Sequence, residues 1–205
     1  VLLLVLLTDL FINCRKGGKN MKIYTIIGGV NGSGKSSLTG AIKAERKDLG
    51  TIIDVDKLNA TLGDKISGGK EAIKKINHCI EHGLSFTQET TLSGARTVST
   101  AKKAKEHGYY IRLYYVGLDT ATESLKRIQN RVEKGGHDIP KEDVMRRFQN
   151  RFESLKAILP YCDEAVFFDN DNGFAEIAEY KNGELLLKGS EHPEWIKEFH
   201  EYITK

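Results

Sequence analysis

Between Gly29 and Ser36 the chain reads G-V-N-G-S-G-K-S, which matches the spacing G-x-x-x-x-G-K-[ST]. Glycines at those positions let backbone N–H groups turn inward around anionic oxygens, and a helix beginning at once points its positive end at the same anion. In this arrangement Gly29, Asn31, Gly32, Ser33, Gly34 and Ser37 form the cradle. Lys35 reaches toward β- and γ-phosphates, and the Ser36 hydroxyl ligates Mg²⁺. The chemistry is that of a nucleoside triphosphate. ATP is expected rather than GTP, because no N-K-x-D guanine-reading motif occurs.

A second group of candidates is acidic. Asp54 and Asp56 end the run I-I-D-V-D, at the carboxyl end of an expected strand, where open α/β sheets bind ligands. A carboxylate there can take the proton of an attacking hydroxyl. It can equally cap a helix, with Asp56 as N-cap of K-L-N-A-T-L, and the pattern alone leaves both readings open. The third group is basic: five of the nine arginines, Arg127, Arg131, Arg146, Arg147 and Arg151, lie between residues 127 and 151. Such a run is either a solvated helical face or a surface for polyanions.

These groups need elements to hold them. K-I-Y-T-I-I-G-G reads as a strand, followed after the glycine loop by a helix from Lys35. Further strands are expected at residues 51–54, 84–90, 109–118 and 164–170. Helical patterns fall at 68–83, 95–108, 120–136 and 140–159. Strands alternating with helices imply a mostly parallel sheet wrapped by helices, an α/β fold of the P-loop NTPase kind. Asn182-Gly183 signals a β-hairpin near the C-terminus, followed by a short helix.

Composition narrows the class. With 205 residues, 40% of them hydrophobic and 29% charged, the chain suits one globular domain, and a net charge of +3 is too small to argue for nucleic acid. Three dispersed cysteines without a C-x-x-C pair fit a reducing, cytoplasmic setting and oppose a disulfide framework or a zinc site. The apolar run V-L-L-L-V-L-L-T-D-L-F-I at the start is too short to span a bilayer and lacks the charge order of a signal peptide. Met21 is therefore expected to be the working start, with residues 1–20 a non-native or disordered extension and 21–205 a single domain without membrane contact.

Taken together, G-G-V-N-G-S-G-K-S-S, I-I-D-V-D-K-L, F-T-Q-E-T-T-L-S-G, H-G-Y-Y-I-R-L-Y-Y-V-G-L and R-I-Q-N-R-V-E-K-G-G-H-D-I-P with the later R-R-F resemble, in order and approximate spacing, the zeta-toxin family of P-loop phosphotransferases. The likeness is to its compact stand-alone branch and runs from Met21 to Asn170. It implies ATP and Mg²⁺ as cofactors and transfer of the γ-phosphate to a hydroxyl of a small acceptor, UDP-N-acetylglucosamine in the characterised toxins. A small antitoxin covering the nucleotide site is implied as a partner. Position by position, it implies Asp56 as the catalytic base with Asp54 beside the substrate. Glu89 and Thr91 fall on the acceptor side, and Arg131 and Arg147 on a lid at about residues 120–155 that closes over the transferring phosphate. Arg127 and Arg151 read equally well as lid residues or as surface ion-pair formers and stay outside the catalytic set, and His137 between two glycines and Pro140 reads as a turn former.

Two other functions compete with this reading. T-T-L-S-G-A-R partly matches the signature of transport-type ATPases, but the next apolar strand runs into Asp119-Thr120 and brings no catalytic glutamate. A nucleotide-binding interaction module without kinase activity would keep Lys35 and Ser36 and have no use for Asp56 or the lid arginines.

Overall fold

The strand β1 (Ile23–Gly28) is buried along its whole length, as a continuous apolar run flanked by sheet on both sides must be. It is the third strand of a seven-stranded sheet. The order is β2 (Thr51–Asp54), β3 (Phe86–Thr90), β1, β4 (Tyr110–Val116), β5 (Glu164–Asp169), β6 (Ala175–Lys181), β7 (Glu184–Leu187). The first five run parallel and the last two antiparallel, confirming the expected α/β class. The computed structural model describes residues 21–62, 65–171 and 173–205, without the side chains of residues 56, 59, 60, 62, 65 and 66. The apolar run at residues 1–12 lies outside them.

Alternation along β1 divides the core. Tyr24 and Ile26 face the larger apolar cluster, completed by Ala72, Ile76 and Ile80 of α3 (Lys65–His82), Ala101 and Ala104 of α4 (Arg96–Glu106), Leu155 and Ile158 of α7 (Arg151–Ile158), and Trp195 and Phe199 of α8 (Glu194–Thr204). Ile27 faces the opposite layer, against Leu38 and Ile42 of α1 (Lys35–Glu45). Each buried leucine, isoleucine or phenylalanine among them contributes about 1.5–3 kcal/mol by leaving water, so the sheet is anchored from both sides.

Two local features differ from expectation. A separate helix, α2 (Val55–Leu62), follows β2 directly, and α3 starts at Lys65 with Gly68 and Gly69 inside it. Burial of Ala72, Ile76 and Ile80 outweighs a helix-propensity cost of about 1 kcal/mol per glycine. The charged stretch 140–159 is two helices, α6 (Lys141–Gln149) and α7, broken at Asn150. The break turns Phe148 toward Val30 and Leu118 while Leu155 faces the main core. Arg112, within the apolar run of β4, is 4% exposed and paired with Asp48 at 3.2 Å and Glu164 at 3.4 Å. Arg46 closes this network on Asp48 at 2.6 Å. The expected hairpin is present: Asn182 and Gly183 have φ of 55° and 88°, the two positive values of a type I′ turn. Among the described residues no helix is long and apolar enough to cross a membrane.

Candidate active site

The loop from β1 into α1 carries the first chemical feature. Gly34 is the N-cap of α1 with φ of 102°, and no side chain caps the helix. Its amide groups are left for an anion. A Cβ at Gly34 would sit 2.3 Å from Asn170 Nδ2, which donates to the Ser33 carbonyl at 3.0 Å, so only glycine lets the loop after β5 close on the phosphate loop. Lys35 Nζ donates to the Val30 carbonyl at 2.9 Å, folding its ammonium back over the cradle. The Ser33 hydroxyl is buried without a hydrogen-bond partner among the described residues.

Period-two alternation along β3 sorts its polar residues. Phe86 and Gln88 face the larger core, while Thr87 and Glu89 face α1. Glu89 is buried, and its carboxylate accepts from Ser36 Oγ at 2.7 Å and from Thr39 Oγ1 at 2.7 Å. Glu89, expected on the acceptor side, lines the cleft and sits beside the phosphate-loop serine. Thr91 lines the cleft and hydrogen-bonds Ser93 at 2.8 Å.

Asp54 is the helix cap. Its Oδ1 accepts from the Lys57 amide at 3.2 Å and its Oδ2 lies 3.4 Å from Lys57 Nζ. The capping duty considered for Asp56 thus falls two residues earlier. Asp56 is in the first turn of α2, and its side chain lies outside the described part of the structure.

The opposite wall is basic. Arg131 and Arg127 project from α5 (Ala121–Glu133), and Arg147 from α6. Arg147 Nη1 donates to Asn31 Oδ1 of the phosphate loop at 3.1 Å, and Arg131 Nη2 donates to the His137 carbonyl at 2.5 Å. It is thus the backbone of His137 that serves the loop. Arg127, open from sequence between a lid residue and a surface ion-pair former, pairs with Glu123 and Asp171, and it also lines the cleft and donates to the Asn170 carbonyl. Burial pushes the Glu123 carboxyl up, and the Arg127 charge opposes that rise. Arg146 turns to Asp143 at an exposed position, and Arg151 stacks 4.0 Å from the rings of Phe148 and Phe152, both away from the cleft.

Between these walls lies a cleft of about 910 Å³, at the carboxyl ends of β1, β2 and β3. It brings together Asn31, Lys35, Ser36, Asp54, Arg131 and Arg147, while Gly29 and Ser33 are not on its wall. Sequence reasoning missed Gln88, Arg96, Arg127 and Asn170. Asn170 was signalled by its place at the end of F-F-D-N, the carboxyl end of a strand.

Comparison with known proteins agrees with this picture. The zeta toxin family profile matches residues 70–175. An uncharacterized protein of Haemophilus influenzae is 35% identical over 127 residues, 58% of this chain and 88% of its own length. A solved structure of the PezAT chromosomal toxin-antitoxin system of Streptococcus pneumoniae superposes with a TM-score of 0.63 at 18% identity, covering 97% of this chain and 90% of that one. The AvrRxo1-ORF1:-ORF2 complex with ATP superposes with a TM-score of 0.64 at 16% identity, covering 88% of this chain and 64% of that one. The phosphate loop, the strand order and the profile match converge: the chain belongs to the zeta toxin family, on the fold of the P-loop kinases.

Proposed function

We propose that the chain transfers the γ-phosphate of ATP to a hydroxyl of a small acceptor, with UDP-N-acetylglucosamine as the first candidate. The observation that carries this reading is the facing of two anion-binding walls. The uncapped α1 terminus with Lys35 stands on one side, and Arg147 on the other is already hydrogen-bonded to the loop through Asn31. A pure binding module needs only the first wall.

The residues suit a triphosphate with Mg²⁺. Ser36, Thr39 and Glu89 form a compact set of hard oxygen donors, and Mg²⁺ takes few protein oxygens beside phosphate and water. Ser36 would hold the ion directly, with Glu89 orienting the Ser36 hydroxyl. When bound, the ion neutralises phosphate charge and fixes the γ-phosphate's orientation. The amides of Gly32, Gly34, Lys35, Ser36 and Ser37 hold the phosphate chain, and Lys35 leaves the Val30 carbonyl for it. Asp56 takes the acceptor's proton as its oxygen attacks, and Asp54 caps the start of α2, the helix that carries it. Arg131 and Arg147 neutralise the equatorial oxygens during transfer. Helices α5 and α6 thus act as a lid. Thr91 lines the acceptor side. ATP in the AvrRxo1 complex and the toxin-antitoxin origin of the pneumococcal structure support ATP as donor and a small antitoxin as partner.

The test is ATP turnover with and without UDP-N-acetylglucosamine, following the sugar by mass, with Asp56→Asn as control. One added phosphate, with kcat falling by about 10²–10⁴ in the variant and KM for ATP little changed, is the expected result. ATP binding with no phosphate added to the sugar, and ATP consumption unchanged by Asp56→Asn, leaves the binding-module reading instead.

A further inference from the structure

Gln88 is a buried carboxamide in apolar surroundings that the phosphoryl-transfer reading does not use. It is 5% exposed, and its cross-strand neighbours are Ile26 and Ile53. A leucine would fill that space and suit those neighbours better. Its Oε1 accepts from the Tyr24 hydroxyl at 2.5 Å, and Tyr24 is itself fully buried, its ring stacked on Phe86 at 4.4 Å. Burial raises the Tyr24 phenol far above its ordinary range, so it stays protonated and must donate. Among the described residues Gln88 is its only hydrogen-bond partner, which fixes the carboxamide with its oxygen toward Tyr24. The Nε2 group then points the other way, and the surface left to Gln88 is on the cleft that holds Asp54, Thr91 and Arg147. Nε2 has no partner among the described residues and is not sealed from the cleft.

We infer that Gln88 reads the acceptor: its Nε2–H, aimed by Tyr24, selects a compound with a carbonyl or ionised oxygen beside the hydroxyl that receives phosphate. The inference rests on the proposed transfer and adds the chemistry of the acceptor. An amide held as a donor rewards an oxygen lone pair, and a compound lacking that oxygen leaves a desolvated N–H unpaired. Tyr24 is a positioning residue, since it reaches the cleft only through Gln88.

UDP-N-acetylglucosamine and UDP-glucose differ at one substituent, a carbonyl-bearing N-acetyl group against a hydroxyl, and form the first pair of probes. The full chain is expected to prefer the former by about tenfold or more in kcat/KM, and Gln88→Leu to reduce that preference below about threefold with KM for ATP little moved. Tyr24→Phe, which frees the carboxamide to rotate, is expected to raise KM for the acceptor by about threefold and leave kcat in place. A preference that survives Gln88→Leu overturns the inference. Should Gln88→Leu fail to fold, Gln88→Glu keeps an acceptor for Tyr24 and removes the donor, and the same loss is required of it. If neither sugar is phosphorylated, the acceptor proposed above fails on its own. Thermal shift with a non-hydrolysable ATP analogue then compares N-acetylglucosamine 1-phosphate with glucose 1-phosphate, and gluconate with sorbitol. Stabilisation by the carbonyl or carboxylate member that vanishes in the variant supports the inference, while no stabilisation, or stabilisation indifferent to Gln88, overturns it.

Discussion

The two walls of the cleft are built in contrasting ways. The phosphate loop grows from a strand buried along its length, and behind it Ser33 and Glu89 are 0% and 6% exposed. The arginine wall stands on α5 and α6, whose apolar contacts form small separate clusters: Ile128, Ile139 and Val144 in one, Val30, Leu118 and Phe148 in the other. Arg131 is exposed, and its described partner is a backbone carbonyl of its own loop. One wall is preorganised by the main core, and the other rests on few buried contacts of its own. Segments with few buried contacts open at lower free energy than the core around them. A fixed phosphate cradle facing a movable set of cations suits an enzyme that must admit two substrates and then exclude water.

This contrast is open to direct attack, beginning with the largest effect. Lys35→Ala is expected to lower kcat/KM by about 10³ or more while the melting temperature stays within a few degrees, because the loop's backbone is held by other contacts. Arg147→Ala and Arg131→Ala are each expected to cost about 10² in kcat, read by the same assay. Next comes a paired stability test. Ile26→Ala in the main core is expected to lower the melting temperature by roughly 5–15 °C. Ile128→Ala in the α5 cluster is expected to lower it by less than about half as much, yet to reduce turnover by about tenfold. Equal thermal effects would mean that both walls melt as one unit, and the contrast would fail.

The smallest effect concerns pH. Burial alone would raise the Asp48 carboxyl, but its hydrogen bonds with Arg46 and the nearby Arg112 charge hold it down, from 3.8 to about 2. A folded-state value below the unfolded one stabilises above the unfolded value, and that stabilisation disappears as pH falls from about 4 to about 2. Asp48→Asn is therefore expected to lower the melting temperature at neutral pH and to flatten its fall across that acid window. The network lies on the α1 face of the sheet, away from the cleft, so activity at neutral pH should change little.

Legibility followed the range of the interactions. Gly34-Lys35-Ser36 and Asn182-Gly183 were readable because their geometry is set within a few residues. For Asp56 the pattern alone left base and helix cap both open, since capping depends on where α2 starts, and that depends on packing. Glu89 and Gln88 are adjacent in sequence but serve opposite faces, which only the register of β3 against β1 decides. Arg112 lies within the apolar run of β4, and its partners Asp48 and Glu164 come from distant segments. For Arg127 lid and ion-pair roles both stayed open, and its place on the cleft wall needed the loop after β5.

The strand order carries a consequence for the chain as it is being made. β1 leaves the ribosome ahead of the other six described strands, yet its partners pair Tyr24 with Phe86 on one side and Ile23 with Tyr110 on the other. The phosphate loop therefore has no scaffold until synthesis has passed β4, and Asn170, which bolts it from outside, arrives later still. Pairings between such distant segments close slowly. β1 is made before either of its sheet partners, so a nascent chain carries the whole phosphate-binding motif well before it can grip a nucleotide.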